Sequence, residues 1–434
     1  MTPAQLSRTV VHAVRSAVQA GELTLPADEL ARWELAAGDG SRPGVVRVPA
    51  KAGRGDFSSP IALRLAAASG RTPREVADVL RRRLVREPGI ARVDLAGPGF
   101  LNITVADAAH AGLVRDVIAQ GDAYGRGHGL DGVRLRLRHA PGARAELWAE
   151  TVERLATACG AEPATRPADA GTDVGGGAVL PCASLSRASG DASYEDALDG
   201  DLDSAPGPGS PTELGSPPGP GSGPPLARAH GARERAVDFV VREPGIGAAE
   251  LVASLGRDGA RWALLRAAAH DLPVCDPAVV LAQRESNPLF RVQYAHARVR
   301  ALLRNGRDLG ILPSPETGAE AEPDGVRADG VRSDDVRAVR TGAVRPDTTL
   351  LALLADFPRV VEDAARRAAP DRVARELVAV ADAFFRFHDG APPLPCGEEK
   401  PSAVHRDRLA TAEATGTVLT NGLTLLGISA PVHL

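Results

Sequence analysis

The stretch NPLFRVQYAHARVRALL, residues 287–303, carries groups able to do chemistry on a second face of a predicted helix. Asn287 can cap its first turn, and Pro288 suits the first helical position. Leu289, Val292, Ala295, Val299, Leu302 and Leu303 recur at helical spacing and make an ordinary core stripe. Phe290, Tyr294, Ala297 and Ala301 form another stripe, flanked by Arg291, Arg298 and Arg304. Aromatic rings and guanidinium planes stack on splayed bases, and basic residues hold phosphates. The competing reading is that this second stripe packs another helix.

Other chemistries find little support. There is no Walker loop and no G-x-S-x-G elbow. Asp199, Asp201 and Asp203 have the spacing of the first ligands of a calcium loop, but Ser204 stands at the turn position and Ser210 where a bidentate Glu belongs. The ten His are scattered, with no pair three or four apart to make a helical metal site. His139, beside the turn HAPGAR, reads as structural rather than catalytic. Cys159, Cys182, Cys275 and Cys396 are far apart and indicate neither a zinc site nor a disulfide framework.

The elements that must position these residues belong to a chain of 434 residues, long enough for roughly three domains. Hydrophobic residues at 44% and charged residues at 24% are those of a globular protein. With no apolar run of membrane-spanning length and no N-terminal signal pattern, a cytoplasmic protein that does not engage a membrane is expected. The net charge of -4 hides segregation: residues 191–203 are acidic, whereas 284–307 hold six Arg against Glu285 alone. Lysine occurs only at Lys51 and Lys400, so nearly all positive charge is arginine.

The predicted fold class is mixed, mainly α. Residues 1–126 read as an α+β domain, with a helix over 5–19, a strand over 44–48, a helix over 60–69 and strands over 92–95 and 100–105. Thr72-Pro73-Arg74-Glu75 is a capping box ahead of the buried positions Val76, Val79, Leu80 and Leu84. Residues 127–160 read as strand, loop and helix. From 161 to 229 the chain turns Gly-, Pro- and Ser-rich and reads as a disordered linker. Short helical patterns are expected over 230–286, and an all-α bundle over 287–434 with a disordered insert at about 314–347.

NPLFRVQYAHARVRALL, AFFRFHD and the tail TVLTNGLTLLGISAPVHL together resemble the DALR-type anticodon-binding domain of arginyl-tRNA synthetases. GDFSSPIALRLAAASGRTPREVADVL with DLAGPGFLNITV is similar to that family's N-terminal domain, which meets the corner of the tRNA. The resemblance implies tRNA as partner, with tRNA-Arg the candidate species. It places Tyr294 where the family faces the anticodon, with Phe290 and Arg291 one turn earlier; the flanking Arg298 and Arg304 are candidate phosphate contacts by their charge. It matches Phe100 and Asn102 to positions by which the family reads the D-loop. A hydrophobic sheet face covered by helix is the alternative there. Arg64, Arg71, Arg74, Arg81, Arg82, Arg83 and Arg86 are read as phosphate contacts or a solvated helix face.

The middle of the chain departs from the family. Its class I catalytic body carries an H-x-G-H motif and a K-M-S-K-S-type loop, but here no two His have that spacing and no Lys lies between Lys51 and Lys400. Arg does not replace Lys at a phosphate site without changing its geometry. Residues 127–160 and 230–286 are therefore read as remnants of a degenerate α/β body. The expectation is a paralogue and pseudoenzyme that binds tRNA with no catalytic residues, metal or cofactor. Arginine-tRNA ligase is the alternative, with ATP its cosubstrate, and a helical protein-interaction scaffold is the third.

Overall fold

The computed structural model describes residues 1–38, 45–47, 55–162, 233–315 and 348–434. The linker read at 161–229 and the insert read at 314–347 lie almost wholly outside the described residues, as do residues 44 and 48 of the expected first strand. Within that strand, Arg47 makes an antiparallel bridge to Ser58. No helix among the described residues is long and apolar enough to cross a membrane.

One core is built by α1 (Pro3–Gln19), α2 (Ala27–Gly38), β1 (Phe57–Ser59), α3 (Ile61–Ser69), α4 (Pro73–Leu84), β2 (Ile90–Ala96) and β3 (Phe100–Val105). The strands are antiparallel in the order β1-β3-β2. Leu101, Ile103 and Val105 alternate inward on β3 and are fully buried with Leu65, Val76 and Leu80. The capping box forms: Glu75 N donates to Thr72 Oγ1 at 3.3 Å and Thr72 N to Glu75 Oε2 at 2.8 Å. Donation to its Oε2 from Thr72 N, and from Thr72 Oγ1 at 2.8 Å, holds the Glu75 carboxyl below its ordinary range.

A second, larger core joins α5 (Asp107–Gln120), β4 (Val133–Arg138), α6 (Ala143–Ala158), β5 (Arg233–Asp238), α7 (Ala248–Arg266), a one-turn helix Pro277–Val280, α8 (Pro288–Asp308), α9 (Thr348–Arg366), α10 (Asp371–Gly390) and α11 (Ala403–Leu426). The expected helical pattern after residue 230 is corrected by β5, which pairs in parallel with β4. Its sequence RERAVD has no apolar stripe, and its partner lies about 100 residues earlier, so no local signal marks it. Sequence periodicity also left out α5, whose Leu113, Val114 and Val117 pack into the second core. Asn421 Nδ2 on α11 donates to Gly121 O at 2.9 Å and Tyr124 O at 2.8 Å, fixing the chain just beyond α5.

Buried arginines tie this core together. Arg144, in the first turn of α6, is fully buried over the Trp148 ring, 5.1 Å from its centroid. Its guanidinium donates five hydrogen bonds to backbone carbonyls: Leu264 at 2.9 Å, Arg242 at 2.7 Å, Asp271 at 2.8 Å, Ala267 at 2.8 Å and Ala268 at 2.9 Å. Three of these lie at the carbonyl end of α7, where the last carbonyls have no donors within the helix, and Ala268 O also accepts from Asp271 N at 2.9 Å. Glu243 accepts from Arg144 N at 3.1 Å and Ala145 N at 2.9 Å, capping α6 where Gly142 offers no side chain. At the end of α11, Arg261 Nε donates to Leu426 O at 3.0 Å and Arg154 Nη1 to Leu425 O at 3.1 Å. Gly427 there has φ 71°, and a Cβ on it would stand 2.5 Å from Arg261 Nη2.

One buried acid opposes this stabilisation. Glu376 on α10 has Oε1 sealed from solvent without a hydrogen-bond partner, because the neighbouring Arg359 is committed to Asp356. Burial, with Asp356 adding to it, pushes the Glu376 carboxyl up to about 7.

Two outcomes follow for thermal unfolding. Arg144→Lys offers three donors for five carbonyls and is expected to cost at least about 3 kcal/mol, read as a fall in Tm. Glu376 contributes stability below about pH 4.5 that is lost as pH rises through about 7. Glu376→Gln should therefore match the parent near pH 5 and exceed it at pH 8 by on the order of 2–3 kcal/mol, checked by melts across that range.

Candidate nucleic-acid interface

The face of α8 that opened the sequence analysis meets α10 side by side. All six residues of its core stripe are buried. The second stripe divides: Ala297 is buried, Phe290 and Ala301 are half-buried, and Tyr294 remains 43% exposed. Phe290 and Tyr294 stack with centroids 5.6 Å apart and planes within 4°, and Tyr294 lies 5.6 Å from Phe385 of α10 at 21°. The Arg291 guanidinium covers Phe385 at 5.0 Å and its Nε donates to Asp382. Four planar groups thus adjoin one another, and Tyr294 is the most exposed of them.

Arg298 is exposed, and its Nη2 donates to His388 Nε2 at 3.3 Å, so Nδ1 carries the imidazole hydrogen toward Asp389 at 3.3 Å. Arg304 is half-exposed further along α8. Sequence reasoning singled out neither Phe385 nor Asp382 and His388, although the three recur at three-residue spacing on one side of α10. Only the knowledge that α8 faces that side distinguishes them from an ordinary helix surface. The C-terminal tail lies against α8: buried His296 donates from Nδ1 to Pro431 O at 2.8 Å and accepts from Thr420 Oγ1 at 3.0 Å. Burial lowers the affinity of this imidazole for a second proton.

In the N-terminal sheet, Phe100 is half-exposed, with the Arg47 guanidinium 5.5 Å from its ring centroid. Asn102 shares that strand face but is only 8% exposed, because β3 is central and places it between Ser58 and Asp94. The expected pair of an open ring beside an open amide is therefore half present. Several arginines nearby are neutralised locally: Arg81 and Arg82 both pair with Asp78, at 2.8 and 2.6 Å, and Arg83 pairs with Glu22 at 3.1 Å. Arg64 lies 5.7 Å over Trp33, whereas Arg71 and Arg74 are exposed.

Of the other groups weighed for chemistry, Asp199, Asp201, Asp203 and Cys182 lie outside the described residues. His139 stacks on Phe239 at 5.2 Å, and burial pushes the Cys159 thiol up to about 12. No cluster of three or more His, Cys, Asp or Glu able to hold a metal occurs among the described residues.

Both ends of the chain match known families. Residues 10–105 match the arginyl tRNA synthetase N terminal domain, and residues 292–434 match the DALR anticodon binding domain. The pair defines an architecture of aminoacyl-tRNA synthetase type. With both of these domains in order, the chain is similar to arginyl-tRNA synthetases at its two ends. The arginine–tRNA ligase of Frankia alni is 28% identical over 583 positions, covering 99% of this chain and 100% of that one. The arginine–tRNA ligase of Kineococcus radiotolerans is 28% identical over 587, again covering 99% and 100%. Since this chain has 434 residues, at least 149 of the 583 aligned positions in the first comparison are gaps in it. In fold, the chain resembles Thermus thermophilus arginyl-tRNA synthetase with a TM-score of 0.54 at 14% identity, over 90% of this chain and 96% of that one.

With tRNA as ligand, Tyr294→Ala is expected to weaken binding by about 1–3 kcal/mol, the range for losing a stacking aromatic. Arg298→Ala should instead reduce the slope of log affinity against log salt by about 0.7. Titrations at several salt concentrations separate the two, with melting curves run in parallel. Unchanged affinity with a lowered Tm in Tyr294→Ala would assign the ring to packing alone.

Proposed function

We propose that the chain binds tRNA through its two end domains and does not itself charge it. The observation carrying this reading is the outer face of the β4–β5 sheet. Parallel sheets of doubly wound folds are covered by helices on both faces, and their strands read as nearly continuous apolar runs. Here Leu135 and Leu137 face the core, while the opposite face carries Arg134, Arg136 and Arg138 paired to Glu162 at 2.6 Å, Glu234 at 3.4 Å and Asp238 at 2.7 Å. Exposed pairs of this kind add little stability and belong to a solvated surface. The absent His pair, the lack of Lys between Lys51 and Lys400, and the gaps against the longer relatives agree with a reduced catalytic body.

The names of the relatives favour a second reading, an arginine–tRNA ligase that activates arginine with ATP and transfers it to tRNA-Arg, since they match along 99% of the chain. Arginine-dependent exchange of pyrophosphate into ATP, assayed with the full chain and tRNA, separates the two. The expected result is tRNA binding in a mobility-shift titration with exchange at the level of the blank. Exchange that scales with protein concentration establishes the ligase, and failure to bind any tRNA leaves the protein-interaction scaffold.

A further inference from the structure

The last turn of α7, the loop after it and the first turn of α8 line an open cavity of about 640 Å³, within the size range of small-ligand sites. None of the stacked rings of the α8–α10 face lines it. Trp262 does, and it is only 3% exposed. Trp33 and Trp148 donate their indole N–H groups to Glu29 at 3.0 Å and to Ala368 O at 2.6 Å. The Trp262 N–H has no acceptor among the described residues, and the residue lines the cavity. A nearly buried indole that leaves its one donor for something outside the protein is uncommon.

The rest of the lining is of two kinds. Leu272, Val274 and Val279 give an apolar wall and are 53%, 56% and 43% exposed. Arg266 and Arg375 stand at the rim beside the N-terminal end of α8, whose dipole adds positive potential. The one acid of the lining, Asp271, has His270 3.5 Å away, and Arg375 also pairs with Asp371. The loop is held open from both sides: Arg144 binds the carbonyls of Ala267, Ala268 and Asp271, and Asn287 Nδ2 binds those of Val280 at 2.7 Å and Ala282 at 2.8 Å. A site fixed in this way does not have to be ordered by its ligand.

We propose that this cavity binds a small planar acid. Its apolar body lies against Leu272, Val274 and Val279, an acceptor atom meets the Trp262 N–H, and a carboxylate, sulfonate or phosphate lies toward Arg266 and Arg375. The full chain is titrated with 8-anilinonaphthalene-1-sulfonate and, as the uncharged comparison, with N-phenyl-1-naphthylamine, following fluorescence. One sulfonate probe per chain is expected, with energy transfer from tryptophan that falls in Trp262→Phe. Arg266→Glu should weaken the sulfonate at least about tenfold and leave the neutral amine within about twofold, whereas Val274→Asp should weaken both. Circular dichroism and melting confirm that the variants fold. Isotherms unchanged in both Arg266→Glu and Val274→Asp, or equal affinity for the two probes, would overturn the proposal.

Discussion

Five backbone carbonyls converge on one buried point of this molecule, and the Arg144 guanidinium is what makes their convergence tolerable. They come from the end of α7, from the chain leaving β5 and from the loop leading to α8, so three stretches share a single donor group that lies about 100 residues earlier. A planar fork with five N–H groups suits this task, and an ammonium with three does not. Arg261 and Arg154 repeat the solution at the carbonyl end of α11. The near-absence of lysine, which from composition reads as a coding bias, thus coincides with a structural use of arginine as an internal cap.

The α8–α10 groove depends on that framework. α8 begins where the loop held by Arg144 and Asn287 ends, which fixes the direction in which Phe290 and Tyr294 project. The guanidinium of Arg291, lying on Phe385 and bonded to Asp382, is immobilised as a plane instead of sweeping through solvent as an isolated arginine would. A surface whose rings and cation are already stacked loses little conformational entropy when something flat is laid on it.

The parts of this architecture that were legible in the sequence are those written in local chemistry. The capping box at Thr72, the N-cap at Asn287 with its core stripe, and the alternation of Leu101, Ile103 and Val105 each record a contact made within a few residues. Helices α9, α10 and α11 fall within the stretch read as an all-α bundle. Long-range partnerships were not legible. β5 acquires its identity from a strand about 100 residues away, and Arg144 looks like any other arginine until five carbonyls from other elements surround it. Asn102 illustrates the reverse error: alternation gave its face correctly, but its burial was decided by neighbours on both sides of β3.

α9 stands in both cores. Ala352 is buried among the side chains of the N-terminal domain, and two residues later the Leu354 carbonyl accepts from the buried Tyr124 hydroxyl at 2.7 Å. Because a helix rises only about 1.5 Å per residue and resists bending over so short a span, these two attachments behave as a rivet through both bodies. The sheet bearing Phe100 and the α8–α10 face bearing Tyr294 are thereby joined through one helix. A long ligand that touched both would be gauged by the protein's dimensions, and any misfit would have to be taken up by bending the ligand.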